Sequence, residues 1–128
     1  MTKENLRLLD ANLNRLREGI RVIEDIYRYI LNDKETSVRL KTLRHKIRVD
    51  FYEQLLNSRD IKNDVLKQST KSEQLRSDLN AIIIANFKRA QESSRVLEEF
   101  TKLIDINLSE NFKSIRYELY DIEKNIKN

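Results

Sequence analysis

The chain has 128 residues, a net charge of +4, and 36% charged residues. It contains no Cys, no Pro and a single Gly. This composition excludes a disulfide scaffold and any thiolate metal site, and it disfavours a turn-rich fold while favouring long helices. The length suits one domain, drawn over 1–128, that buries roughly two-thirds of its unfolded surface. No signal-peptide core and no apolar run near the ~18 residues of a membrane span is visible. A cytoplasmic protein without a membrane partner is therefore expected.

Apolar residues recur at helical spacing along the whole chain. Leu9, Leu13, Leu16, Ile20, Ile23, Tyr27 and Ile30 predict a first helix over 4–32. Val38, Leu40, Leu43, Ile47, Phe51 and Leu55 predict a second over 36–57. A polar, Asp-containing connection, 58–73, follows. Leu75, Leu79, Ile83, Phe87, Leu97 and Ile104 predict a third helix over 74–105. Phe112, Ile115, Leu119, Ile122 and Ile126 predict a fourth over 110–126. Asn32-Asp33 and Asn107-Leu-Ser109 read as polar breaks able to cap the next helix.

One motif occurs twice, 74 residues apart: Asp10–Ile30 matches Ile84–Ile104 at eight of 21 positions. The identical pairs are Ala11/Ala85, Asn12/Asn86, Arg15/Arg89, Glu18/Glu92, Arg21/Arg95, Val22/Val96, Glu24/Glu98 and Ile30/Ile104. A constraint acting on the core alone would repeat the apolar residues and let the polar ones drift; here five of the eight are polar. The similarity continues at an offset of 72, where Leu40–Ile47 matches Phe112–Leu119, pairing Arg44 with Arg116 and His45 with Tyr117. The unit is a helical hairpin used twice, over 4–57 and 74–126. The expected fold is an all-α, antiparallel four-helix bundle with pseudo-two-fold symmetry.

At 100° per residue Asn12 falls within the apolar stripe of its helix, Arg15 and Gly19 lie on its border and Glu18 just beyond. Asn86, Arg89, Ser93 and Glu92 occupy the same places in the second half. Two readings stand. The polar residues could fix how the hairpins dock. They could instead converge on a pocket in which Arg forks hold phosphate and Asn reads a heterocycle edge. Arg21, Arg95, Glu24 and Glu98 read as a solvated ion-pair face.

His45 is the only His, so no His-based metal site or Ser-His-Asp relay can be built. The basic run Arg39, Lys41, Arg44, Lys46 and Arg48 reads as solvated, and the modest net charge gives little support to a nucleic-acid partner. Asp60 and Asp64 could hold Mg²⁺, which needs one or two protein carboxylates beside substrate phosphates; the plainer reading is turn chemistry. No nucleotide-binding glycine loop is present.

Taken in order, several strings resemble one family. They are Asp10-Ala-Asn-Leu-Asn-Arg-Leu-Arg-Glu-Gly-Ile-Arg-Val-Ile-Glu-Asp25, Leu43-Arg-His45, Ser58-Arg-Asp60 with Asp64-Val65, Ala85 to Glu99, and Ile115-Arg-Tyr-Glu-Leu-Tyr-Asp121. The family is the all-helical hydroxymethylpyrimidine-phosphate kinase domain often fused ahead of thiamine-phosphate synthase. The resemblance implies a small-molecule phosphotransferase of thiamine biosynthesis that uses ATP and Mg²⁺ to make the pyrimidine diphosphate. It implies no coupling of pyrimidine to thiazole, since the barrel domain of fused relatives is not among these residues. In the second repeat Ser93-Ser94 replaces Gly19-Ile20, so the half-sites are not equivalent.

On the motif matches and the helical geometry together, Arg15, Arg89, Glu18 and Glu92 are the expected catalytic residues. Asn12, Asn86, Arg44, Arg116 and His45 are expected to bind substrate, and Asp60 and Asp64 to hold the metal. The alternative is a non-catalytic helical module that docks onto a separate thiamine-phosphate synthase, or a self-associating bundle such as a homodimer.

Overall fold

The computed structural model describes residues 1–126, with the side chains of residues 72 and 73 left aside; the last two residues of the expected 1–128 domain lie outside the description. Every regular element among the described residues is helical. Helix α1 spans Lys3–Asp25 and is followed directly by a π-helical turn, Ile26–Ile30. Then come α2 (Lys34–His45), α3 (Tyr52–Ser58), α4 (Lys71–Gln74), α5 (Leu79–Thr101) and α6 (Ile106–Asn125).

The starts are set by side-chain caps. Thr2, Asp33, Asp78 and Asp105 each accept a hydrogen bond from a backbone N–H of the first turn of α1, α2, α5 and α6. Asn32 adopts φ 52°, the left-handed conformation that Asn tolerates better than most residues, and so reverses the chain between α1 and α2.

Three expected boundaries are corrected. The second helix, expected over 36–57, stops at His45 and resumes as α3 at Tyr52. Its last carbonyls find other partners. Lys46 N–H turns back to Leu43, and Ile47 N–H to Arg44. Arg48 Nε donates to the His45 carbonyl, Asn111 Nδ2 to that of Lys46, and an Arg17 guanidinium N–H to that of Ile47. The break lets both Ile47 and Leu55 bury. The third helix, expected over 74–105, begins at Leu79 behind the Asp78 cap, and Leu75 stays exposed. Asn107 to Ser109, expected as a break, lie inside α6, whose cap is Asp105.

The core comes from α1, α2, α5 and α6, around Leu13, Leu16, Leu40, Phe87, Leu97 and Phe112. Helix α1 packs on α5, α2 and α3; α6 packs on α5 and α2. Arg39, early in α2, pairs with Glu118 and Asp121, late in α6, whereas Lys46, just past α2, meets Asn111, early in α6. These two helices therefore run antiparallel, as do α1 with α2 and α5 with α6. Three reversals make α1 antiparallel to α5. Gly19 marks their close approach: a Cβ there would lie 3.2 Å from the Asn86 carbonyl oxygen and 3.5 Å from the Ala90 Cβ.

Candidate functional site

The repeated polar residues divide by what they touch. Asn12 and Asn86 make the same bond: each amide Nδ2 donates to the carbonyl four residues earlier, Leu8 and Ile82, at 2.9 Å. Glu24 is buried and takes a forked bond from Arg44, with Nε at 2.8 Å. Glu98 is buried too, and Arg116 donates to it at 2.8 and 3.2 Å. These bonds hold both Arg side chains in the charged form, against the opposing effect of burial.

The solvated-face expectation is thus corrected for Glu24 and Glu98, which join the two helices of each hairpin. Arg21 and Arg95 do stay exposed, in pairs with Asp25 and with Glu98 and Glu99. The signal for the buried pairs was on the page: Glu24 recurs together with Arg44, as Glu98 and Arg116. The guanidinium of Arg116 also stacks over Tyr117 at 5.0 Å and faces Tyr120 at 5.8 Å.

Arg15, Arg89, Glu18 and Glu92 behave differently. All four are exposed, and among the described residues their side chains have no hydrogen bond or ion pair. Their recurrence has no explanation in the packing.

Arg15 joins the two loop carboxylates. A groove of about 370 Å³ runs along the first half of α1, walled by residues 59–64, and Arg7, Arg15, Arg59, Asp60 and Asp64 line it. The wall is held by two contacts. Arg59 forks onto the buried Asp10 carboxylate, at 2.8 and 2.9 Å. Arg7 donates to the Asp60 carbonyl at 2.9 Å. The Asp60 carboxylate accepts from the side chain of Asn63 at 2.6 Å and from its backbone N–H at 3.2 Å, which lowers its pKa. Asp64 accepts from the Leu66 N–H at 3.0 Å. The turn-forming role of both aspartates is therefore real, and both also border the groove. No group of three or more His, Cys, Asp or Glu suited to a metal occurs among the described residues. A hard cation here would need substrate oxygens to complete its shell.

Sequence reasoning missed Asp10 and Arg7. The repeat could have found them, because their counterparts are Ile84 and Ala81: one half carries charge where the other does not.

His45 is exposed and lies with Arg17, Glu18, Arg21, Arg44 and Arg48 around a second, more open cleft. Burial pushes the Arg17 guanidinium pKa down, opposed by Asp10 and Tyr52. The corresponding cleft of the second half is lined by Lys88, Gln91, Glu92, Arg95 and Tyr120. The structure thus groups Arg15 with Asp60 and Asp64, and Glu18 with Arg44 and His45. It sets Asn12, Asn86 and Arg116 into packing.

A family model described as the ThiD2 family matches residues 7–125. The chain belongs to this family. Over 120 residues it is 44% identical to the thiamine-phosphate synthase of Rhodopirellula baltica, covering 90% of this chain and 32% of that one. It is 40% identical over 121 residues to the thiamine-phosphate synthase of Synechocystis sp., covering 94% and 35%. With that of Thermosynechococcus vestitus the identity is 43% over 119 residues, covering 92% and 34%. The chain spans about a third of the length of these curated relatives. No solved structure matches it. No described helix is long and apolar enough to cross a membrane.

Proposed function

We propose that this chain serves thiamine biosynthesis by phosphorylating hydroxymethylpyrimidine phosphate to the diphosphate, with ATP and Mg²⁺. Membership of the ThiD2 family and the names of its relatives support the pathway. The resemblance noted in the sequence supports the reaction. We also read the two hairpins as copies of one duplicated unit in a pseudo-two-fold bundle. The matching Asn bonds and buried Glu–Arg pairs support that reading.

The observation that carries the site is the groove on α1, where Arg7, Arg15 and Arg59 face Asp60 and Asp64. The Arg15 guanidinium is free to fork onto phosphate oxygens, and Arg7 and Arg59, already bonded to the Asp60 carbonyl and to Asp10, add positive charge beside it. Two carboxylates suit a Mg²⁺ that keeps its remaining positions for phosphates and water. Bound there, the ion would neutralise charge on the transferring phosphoryl group. Arg15 would orient that group, and the Asp10–Arg59 fork would hold the aspartates against α1. Transfer between phosphates needs positioning and charge neutralisation more than a strong base. His45 and Arg44 border the neighbouring cleft, where they would meet the acceptor. Arg89 and Glu92 lie on α5 and line no part of the groove.

The test is turnover. Purified chain, hydroxymethylpyrimidine phosphate, ATP and Mg²⁺ should yield diphosphate by chromatography, and chelation should stop it. Asp64→Ala and Arg15→Ala should each lower kcat/KM by at least about tenfold, roughly 1.4 kcal/mol of transition-state stabilisation. Folded variants with full activity would remove the groove from the reaction. A folded wild-type chain that makes no product would favour the docking-module reading.

A further inference from the structure

The two hairpins differ at their reversals. The match between them runs at an offset of 74 before the reversal and 72 after it, so the first reversal is two residues longer. The extra length is visible in the fold. Helix α5 stops at Thr101, the counterpart of Tyr27, whereas the first helix runs on through the π-helical turn to Ile30. Such turns are rare and gather at functional sites. Beside this one, between the end of α1 and the start of α2, lies a cavity of about 310 Å³, the size of a small-ligand site. It shares no lining residue with the groove or with the cleft at His45. Along α1 it begins at Glu24, about 14 Å beyond Arg15.

We propose that this cavity binds a small phosphate monoester. Arg28, Lys34 and Lys41 line it, and among the described residues none of the three has a carboxylate partner. Arg28 is held over the Tyr29 ring at 4.9 Å. Lys34 opens α2, where the helix dipole disfavours a cation, and a bound anion would offset that cost. The two carboxylates of the lining, Glu24 and Asp33, are already committed. Arg44 bonds both oxygens of the first, and Thr36 both oxygens of the second. Three cations facing no free anion select a dianion, and phosphate brings three oxygens to meet them. Val38, half exposed, gives the cavity an apolar wall for the ester group. The second hairpin lacks these features. Ile106 stands for Lys34, Glu110 for Val38, and Lys102, the counterpart of Arg28, pairs with Glu99 at 3.0 Å. Asp25, the counterpart of Glu99, pairs with Arg21 and leaves Arg28 free. The inference does not rest on the phosphoryl-transfer reading, and its test uses no ATP.

The experiment is an NMR titration of the isotopically labelled full chain with phenyl phosphate, which joins a phosphate monoester to an apolar ring. Saturable shifts at the amides of Arg28, Lys34 and Val38 are expected, with a Kd below about 1 mM. Lys34→Glu and Lys41→Glu should each raise it at least about tenfold. Both side chains are exposed, and the first change favours the helix start, so the variants should fold, which the same spectra report. Lys113→Glu, at the position matching Lys41 in the second hairpin, should leave the Kd unchanged. Inorganic phosphate should bind more weakly, for want of the contact with Val38. No saturable shift by about 10 mM overturns the proposal, and so does binding that survives both charge reversals. Shifts confined to residues 59–64 overturn it too, and give the phosphate to the groove. Inorganic phosphate that binds as tightly as the ester overturns the choice of a monoester.

Discussion

At the residue scale, what repeats is not automatically what reacts. Glu24 and Glu98 recur because each is a carboxylate taken out of water, and a buried charge must be met by another. The side chain of Glu24 is 1% exposed and that of Arg44 20%. Truncating Arg44 would strand the carboxylate. Arg44→Ala should cost about 3 kcal/mol of stability in urea denaturation, discounted for the partial exposure of the pair. A loss below about 0.5 kcal/mol would show that water satisfies Glu24. Asp10 meets the same requirement in one half alone, through Arg59, and so it points to the groove rather than to the architecture. Reading the repeat for its differences as well as its identities would have found it.

At the scale of the element, caps set the boundaries more firmly than the apolar pattern does. Asp33 holds the start of α2 by accepting from the Thr36 backbone N–H at 3.0 Å and its hydroxyl at 2.7 Å, and these bonds keep its pKa below the ordinary 3.8. A carboxylate whose pKa is lower folded than unfolded contributes stability that is complete above the unfolded value. That contribution is lost as pH falls through the folded value. Thermal melts should therefore lose Tm between about pH 5 and about pH 2. In Asp33→Asn, which keeps a capping oxygen but does not titrate, the slope should be shallower. Equal slopes would remove Asp33 from the acid dependence. The break between α2 and α3 was illegible for the converse reason. No Gly or Pro marks it, and the groups that end α2 include Arg17 on α1 and Asn111 on α6, which sequence spacing alone cannot bring together.

For the whole molecule, helical class and the four main apolar stripes could be read directly from Leu9, Leu40, Phe87 and Phe112 and their neighbours. The grouping of Arg15 with Asp60 and Asp64 could not, because it depends on where the 59–64 segment is pinned. The crossing of α1 and α5 was equally hidden, and it rests on Gly19. In Gly19→Ala the gain in helix propensity, about 1 kcal/mol, meets a backbone oxygen 3.2 Å away that must shift. The fixed carbonyl of α5 should prevail, giving a net loss of about 1 kcal/mol by chemical denaturation. A stabilised variant would show that the helices part easily.

The two buried ion pairs also bear on the order of assembly. Each links residues close in sequence, 20 apart for Glu24 with Arg44 and 18 apart for Glu98 with Arg116, whereas the Gly19 crossing joins segments far apart in the chain. Loop closure favours the short connections first. Each hairpin is thus equipped to close on itself before the two meet, and stopped-flow kinetics should register the difference. Arg44→Ala should slow folding, while Gly19→Ala should mainly speed unfolding. If Gly19→Ala instead slowed folding as much, docking would belong to the nucleus. On a ribosome the first hairpin, complete by Ser58, would already have neutralised its buried carboxylate while most of the second was still unsynthesised.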